Sequence, residues 1–298
     1  MPAPSLLSPA PALQFDGNTM CALTFWPVYR RSPPKFPMRL DRLGDGGRGT
    51  TGPSRALLRP QAPMQQAAVD ASRSVVPSGL GLDSAEVRHR MVMRLHAAGL
   101  SNETLLEALA AVPRHLFVDG ALVNQAYEDT SLPIGHGQTI SKPSVVARMI
   151  ELLAQGRAAR DAGTLGRVLE IGSGCGYQAA ILARLAREVV SIERVRPLHE
   201  KARSHLAQLR ETRVRLLYGD GMLGHAGGAP YDSIIAAAGG DAVPQAWLDQ
   251  LGIGGRLVAP VRIQGTRQAL VVIDRTDNGY LRSVHDAVHF VPLKAGLD

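Results

Sequence analysis

Apolar and polar positions along this chain change period several times, and the changes mark its elements. From residue 83 onward apolar side chains recur every three or four positions. Val87, Met91, Leu95 and Ala98 share one face of a helix that Asp83 or Ser84 can cap and Gly99 can close. Ser101 is placed to cap a second helix, with Leu105, Leu106 and Leu109 inward and Pro113 at its end. A third helical stretch covers residues 145–153. The pattern then switches to short apolar runs at 168–171, 188–193, 214–218, 233–237, 256–261, 270–274 and 288–293, which read as strands. Helical stretches at 178–187, 198–209 and 245–251 lie between them, and Gly252, Gly254 and Gly255 predict a turn. This alternation predicts an α/β fold with a doubly wound, mostly parallel sheet of about seven strands, entered through N-terminal helices. Asp277-Asn278-Gly279 predicts a tight turn. A helix-free hairpin at that end cannot make a parallel crossover, so an antiparallel strand is expected at the far edge.

The first of these strands opens into V-L-E-I-G-S-G-C-G-Y, residues 168–177. Glycine suits a turn whose backbone must approach a ligand closely. A dinucleotide fingerprint, G-x-G-x-x-G, would place its third glycine at position 177, which is Tyr177, and a phosphate-binding loop would continue into Gly-Lys-Ser/Thr. Both fail. The spacing G-x-G-x-G preceded by Glu170 instead resembles the class I S-adenosylmethionine (SAM) methyltransferases, with their Rossmann-like sheet. Glu193 ends the next strand about 20 residues after the first glycine, where a carboxylate can accept hydrogen bonds from ribose hydroxyls.

Composition divides the chain. The 298 residues are 45% hydrophobic, enough for a sizeable core. Twelve of the 20 prolines fall in the first 80 residues, which show no sustained apolar period. Residues 1–82 therefore read as a disordered Pro/Gly/Arg-rich extension, and 83–298 as the folded domain. The formal charge of +7 follows the same division, for nine Lys/Arg against four Asp/Glu lie in those 80 residues. Scattered charges of this kind suit a solvated linker better than a nucleic-acid surface. No run of about 18 apolar residues predicts a membrane span, and the N-terminus lacks a secretory pattern. Cys21 and Cys175 make neither a disulfide framework nor a metal cluster, so a cytoplasmic protein without metal is expected. Cys175 reads as a small residue fitting a crowded turn.

Further chemistry sits where strands end. In Gly219-Asp220-Gly221, Asp220 can accept from an adenine amino group. The small residues of Y-D-S-I-I-A-A-A-G-G, 231–240, leave room for a substrate but offer no polar group for chemistry, and lack the motif common in amino-methylating enzymes. The polar groups come from L-P-I-G-H-G-Q-T-I-S-K-P, residues 132–143, directly before a helix. Ser141 fits a cap position there, with Pro143 tolerated in the first turn. His136, between glycines, reads as structural or as a substrate contact.

Five separated motifs then resemble one family in order and spacing. They are V-P-R-H-L-F-V at 112–118, G-H-G-Q-T-I-S at 135–141 followed by Pro143, L-E-I-G-S-G-C-G-Y at 169–177, G-D-G at 219–221 and F-V-P-L at 290–293. Together they resemble protein-L-isoaspartate O-methyltransferase from about residue 84 onward. The resemblance implies methyl transfer from SAM to the α-carboxylate of L-isoaspartyl residues in damaged proteins, with repair through a succinimide. It assigns Ser141 to the active site and Thr139 and Ile140 to a loop closing over cofactor and substrate. Gly172 and Gly174 pass the methionine part of SAM, Glu170 and Ser173 beside them belong to the same cofactor-binding set, Glu193 takes the ribose, and Asp220 with Gly221 takes the adenine. His136, Ser141, Val291, Pro292 and Leu293 flank the substrate peptide. A monomer acting on isoaspartyl peptides, without nucleic acid or membrane, is the expected state.

Departures from the family pattern are Gly239-Gly240, which predicts a looser loop, and Lys142 beside the serine. A SAM methyltransferase of RNA or a small molecule would share the glycine turn but would not need G-H-G-Q-T-I-S. A non-enzymatic nucleic-acid-binding protein would rest on the basic extension.

Overall fold

A computed structural model describes residues 85–298. The expected extension and the proposed caps Asp83 and Ser84 lie outside the described residues. In chain order come helices α1 (Ala85–Ala97) and α2 (Glu103–Ala111), a hairpin of β1 (Leu132–Gly135) and β2 (Gln138–Ile140), and helices α3 (Pro143–Ala154) and α4 (Arg157–Ala162). Next are β3 (Arg167–Ile171), α5 (Tyr177–Leu185), β4 (Glu188–Glu193), α6 (Arg196–Gln208) and β5 (Val214–Tyr218). The chain continues as β6 (Tyr231–Ala236), α7 (Gln245–Gln250), β7 (Leu251–Gln264), β8 (Arg267–Thr276) and β9 (Gly279–Val288).

The strands from β3 onward form one seven-stranded sheet in the order β5-β4-β3-β6-β7-β8-β9. Pairs from β5 to β7 are parallel, and β8 and β9 close the far edge antiparallel, as the missing crossover helix requires. Period-two burial sorts its side chains. Val168, Val189, Ile235 and Val258 join a core with Met91, Leu105, Ile150, Ile181 and Leu198 of the helices. Leu169, Ile171, Val190, Ile192 and Leu257 face the other way, toward Trp247 of α7. Each such buried side chain contributes about 1.5–3 kcal/mol. A one-residue slip would exchange the two faces, so register is strongly specified.

Several expectations need correction. Val92 is buried where Ala98 was expected, and Asn102, not Ser101, caps α2 by accepting from Leu105 N at 3.0 Å. Ser101 N instead donates to Glu151 Oε1. The glycines at 252–255 do not break the chain, because β7 runs through them with a register irregularity opposite β6. The last strand is Gly279–Val288, not 288–293. Its exposed outer strand lacks the apolar run that the sequence reading relied on. Residues 290–293 instead lie beside Gly239, with Pro292 and Gly239 forming an isolated bridge.

That bridge also overturns the expectation of a looser Gly239-Gly240 loop. Gly239 N donates to Val291 O and Leu293 N to Gly239 O, both at 2.8 Å, while Arg262 N donates to Gly240 O at 2.9 Å. A Cβ on Gly239 would lie 2.6 Å from Gln268 Nε2, so glycine lets that side chain pass. The Gln268 amide then holds Phe290 by both its N–H and its carbonyl.

Gly176 is a close approach between the turn and helix α6. It caps α5 at φ 91°, and a Cβ there would lie 3.3 Å from Ala202 Cβ and 3.4 Å from its Cα on α6. Gly176→Ala is expected to lower stability by about 1–3 kcal/mol through backbone strain and overpacking. The check is a lower urea midpoint at unchanged m.

Candidate active site

The order of strands reverses between β3 and β6, leaving a crevice past their C-terminal ends, where open α/β sheets take ligands. The glycine turn after β3 forms one wall. Gly172 N and Ser173 N donate to Ile192 O at 2.8 and 3.2 Å, which pins the turn to the end of β4. Glu193, at that end, accepts from Gly174 N through Oε2 at 2.8 Å and from Val195 N through Oε1 at 2.9 Å. Two backbone bonds leave each oxygen a further acceptor direction. The carboxylate is thus held rigid and still able to receive hydroxyl groups.

Beneath the turn is a buried polar chain. Glu170 pairs in register with Ser191, whose hydroxyl donates to Glu170 Oε2 at 2.5 Å and lies 2.5 Å from Ser173 Oγ. Burial pushes the Glu170 carboxyl up to about 8, against the opposing effect of hydrogen bonding from Ser191 and Gln178. That burial favours the neutral form of Glu170, which supports the turn from below. Burial also pushes the Cys175 thiol up to about 11, so it is no nucleophile.

The opposite wall is the hairpin and the residues after it. Ser141 does not cap α3. Lys142 occupies the cap position without a side-chain bond, and Asp129 satisfies the helix start by accepting from Ser144 N at 2.9 Å and Ser144 Oγ at 2.7 Å. The Ser141 hydroxyl is left without a partner among the described residues. Its carbonyl, by contrast, accepts from Arg114 Nη2 at 2.7 Å. Arg114 is fully buried, donates also to Ala126 O at 2.8 Å, and sits 4.6 Å from the Tyr177 ring centroid. Lys201 ties the hairpin to α6 by donating to Ile134 O at 3.2 Å and to Asp119 Oδ1 at 2.9 Å.

Two clefts meet here. The first encloses ≈ 880 Å³ of space partly open to solvent, and brings together Thr139, Ile140, Ser141, Gly172, Ser173, Gly174, Glu193, Gly221, Val291, Pro292 and Leu293. The second, beside β9, shares Thr139, Ser141, Ala237 and Val291 with it. Ser141 therefore stands on the common wall.

Three expected site residues are not in the lining. Glu170 lies under the floor. His136 is exposed at the hairpin tip with φ 54° and lines neither cleft. Asp220 accepts from Met222 N at 2.8 Å and from Gly296 N at 2.7 Å, one bond to each oxygen as at Glu193, which leaves each oxygen a further acceptor direction. The sequence reading missed Arg114, Tyr177, Arg194 and Lys294. The first two lay inside quoted motifs, V-P-R-H-L-F-V and the glycine turn, but nothing in their spacing revealed that they meet.

The fit to a cofactor follows from the donor set. A rigid carboxylate suits a ribose diol, glycine backbone at φ 90° and 54° suits close approach, and the apolar wall of Ile192 and Leu198 suits a flat ring. Fold and site together define a class I SAM-dependent methyltransferase. The family description protein-L-isoaspartate(D-aspartate) O-methyltransferase matches residues 86–298. A protein-L-isoaspartate O-methyltransferase of Methylibium petroleiphilum is 61% identical over 271 residues, covering 90% of this chain and 98% of that one. One of Leptothrix cholodnii is 54% identical over 275 residues, covering 89% and 96%. A solved protein-L-isoaspartate O-methyltransferase superposes with a TM-score of 0.63 at 29% identity, covering 70% of this chain and 67% of that one. The chain belongs to the protein-L-isoaspartate(D-aspartate) O-methyltransferase family, and is a methyltransferase enzyme.

Glu170 gives the site a pH signature. Its carboxyl binds a proton more tightly folded than unfolded, so stability is fully present below the ordinary value of 4.5 and is lost as pH rises to about 8. The expected decline is about 3–5 kcal/mol across that window. Glu170→Gln should flatten it, read from urea midpoints between pH 5 and 8.5. An equal slope in the variant would assign the decline to other groups.

Proposed function

We propose that residues 83–298 form the catalytic domain, which methylates the free α-carboxylate of L-isoaspartyl residues in damaged proteins, with Ser141 as the residue that orients the carboxylate. The observation that carries this is the unpartnered Ser141 hydroxyl on the wall shared by two clefts. The first cleft takes SAM, with Glu193 at the ribose, Gly172, Ser173 and Gly174 along the methionine part, and Gly221 at the adenine. Thr139 and Ile140 flank the reacting groups, while Val291, Pro292 and Leu293 form the opposite side.

The machinery is sparse because the reaction asks for little. A carboxyl group with an ordinary value near 4 is ionised at neutral pH, so no strong base is needed. SAM supplies a methyl group already activated by its sulfonium charge. The chain's task is to hold oxygen, carbon and sulfur in line, within about 3–3.5 Å and away from water. The Ser141 hydroxyl donates to one carboxylate oxygen and leaves the other directed at the methyl group. Arg114 holds the Ser141 backbone, so the hydroxyl is presented from a fixed point. Glu170 is a support of the cofactor turn in this reading, and Asp220 a brace for the C-terminal residues.

Action as a monomer is part of the proposal. Among the described residues no helix is long and apolar enough to cross a membrane. A cytoplasmic location, with damaged proteins as partners, is part of the proposal.

Labelled SAM and paired peptides that differ only in isoaspartate or aspartate test it. Base-labile label is expected on the isoaspartyl peptide alone, and transfer to neither would sink the reading. Ser141→Ala should lower kcat by about one to two orders of magnitude, as loss of a positioned donor does. Its SAM affinity by calorimetry should stay close to that of the parent. Equal losses in SAM affinity and turnover would refute this division of labour.

A further inference from the structure

The cleft beside β9 carries an electrostatic bias that methyl transfer itself does not require. Its lining includes Lys142 and His289 but no aspartate or glutamate. Lys142 is exposed, follows Ser141 directly, and makes no ion pair with any described residue. Acids near it are engaged elsewhere. Asp129 accepts from Ser144, and Asp286 pairs with Arg148 at 2.8 Å.

A cation bonded to the reacting carboxylate would withdraw the electron density that attacks the methyl group. Lys142 therefore assists transfer only by engaging a different carboxylate. An extended peptide advances about 3.3–3.6 Å per residue. With its isoaspartyl group at Ser141, the side chain one or two positions away falls within reach of the flexible lysine stem. His289, on the same lining, offers a hydrogen-bond donor to the same group.

We propose that Lys142, assisted by His289, makes this enzyme favour isoaspartyl sites flanked by an acidic residue. The inference deepens the isoaspartyl reading and rests on it. Lys142 is a specificity residue here, and the ligand it recognises is the carboxylate of an anionic peptide segment.

The test uses isoaspartyl peptides that are alike except for Glu, Gln or Lys at the position before or after the isoaspartyl residue. The full-length enzyme should show kcat/KM about two- to five-fold higher for the Glu peptide than for the Gln peptide on at least one side, as a single exposed ion pair allows. The ratio should shrink in 0.5 M salt. Lys142→Gln should bring it close to one, Lys142→Glu should turn it toward the Lys peptide, and His289→Gln should reduce it less than Lys142→Gln does. Equal use of Glu and Gln peptides by the parent enzyme, or an unchanged ratio in Lys142→Gln, overturns the proposal. Failure of the uncharged Gln peptide and every other isoaspartyl peptide to accept label overturns the isoaspartyl reading as well, and is distinct from a lost preference.

Discussion

A guanidinium removed from water holds the two halves of this site together. Among the described residues Arg114 has no carboxylate bonded to it. Its partners are the carbonyls of Ala126, Thr130 and Ser141 and the face of Tyr177. Burying a charge on these terms is expensive, and desolvation lowers its affinity for the proton. Yet a planar fork of donors is the group that can gather separate backbone segments at fixed angles, which an ammonium cannot. One side chain thereby fixes Ser141 relative to the first residue of α5, and so relative to the cofactor turn. The segment that follows the N-terminal helices is thus mechanically part of the site.

The other wall obeys the same logic with acids. Glu193 and Glu170 face one side of the sheet from neighbouring strands, but their environments divide their work. Glu193 receives two backbone N–H groups and keeps capacity for a ligand. Glu170 is wholly buried against Ser191, and that burial favours its neutral form, which spares the site a second negative charge beneath the turn. A buried ionised Glu170 would repel Glu193 as well as lose its hydration.

Much of the sheet was legible because its central strands are buried on both faces and the others are short runs of β-branched and apolar residues. Residues 188–193 and 214–218 coincide with β4 and β5, since runs such as Glu-Val-Val-Ser-Ile-Glu match no helical period. The outer strand β9 was misplaced for the converse reason: exposed on nearly all its length, it shows no apolar signal, whereas Phe290 and its neighbours do. Glycine spacing and strand-end acids pointed to Gly172, Gly174 and Glu193, which line the first cleft. Ser141, by contrast, was legible as a site residue only through resemblance, and its expected capping role failed because Asp129, distant in sequence, takes that task. His136 and Asp220 lie outside the cleft lining for a shared reason. A polar residue between glycines is as well suited to a turn's own geometry as to a ligand, and both residues serve the turn.

The two clefts explain why such a site can act on proteins and not only on free metabolites. The cofactor side is enclosed by the glycine turn, the hairpin and residues 291–294, while the substrate side opens along β9 at the edge of the sheet. The described edge offers no further strand to cover it. In the proposed reading a polypeptide lies across that face and extends past both ends, with only its damaged residue turned inward to Ser141. Recognition of one abnormal carboxylate then depends on the shared wall, and recognition of what surrounds it depends on the open side. That separation lets the open side vary in charge without disturbing the geometry of transfer, because the residues that hold Ser141 in place, Arg114 above all, lie behind the wall and not along the cleft.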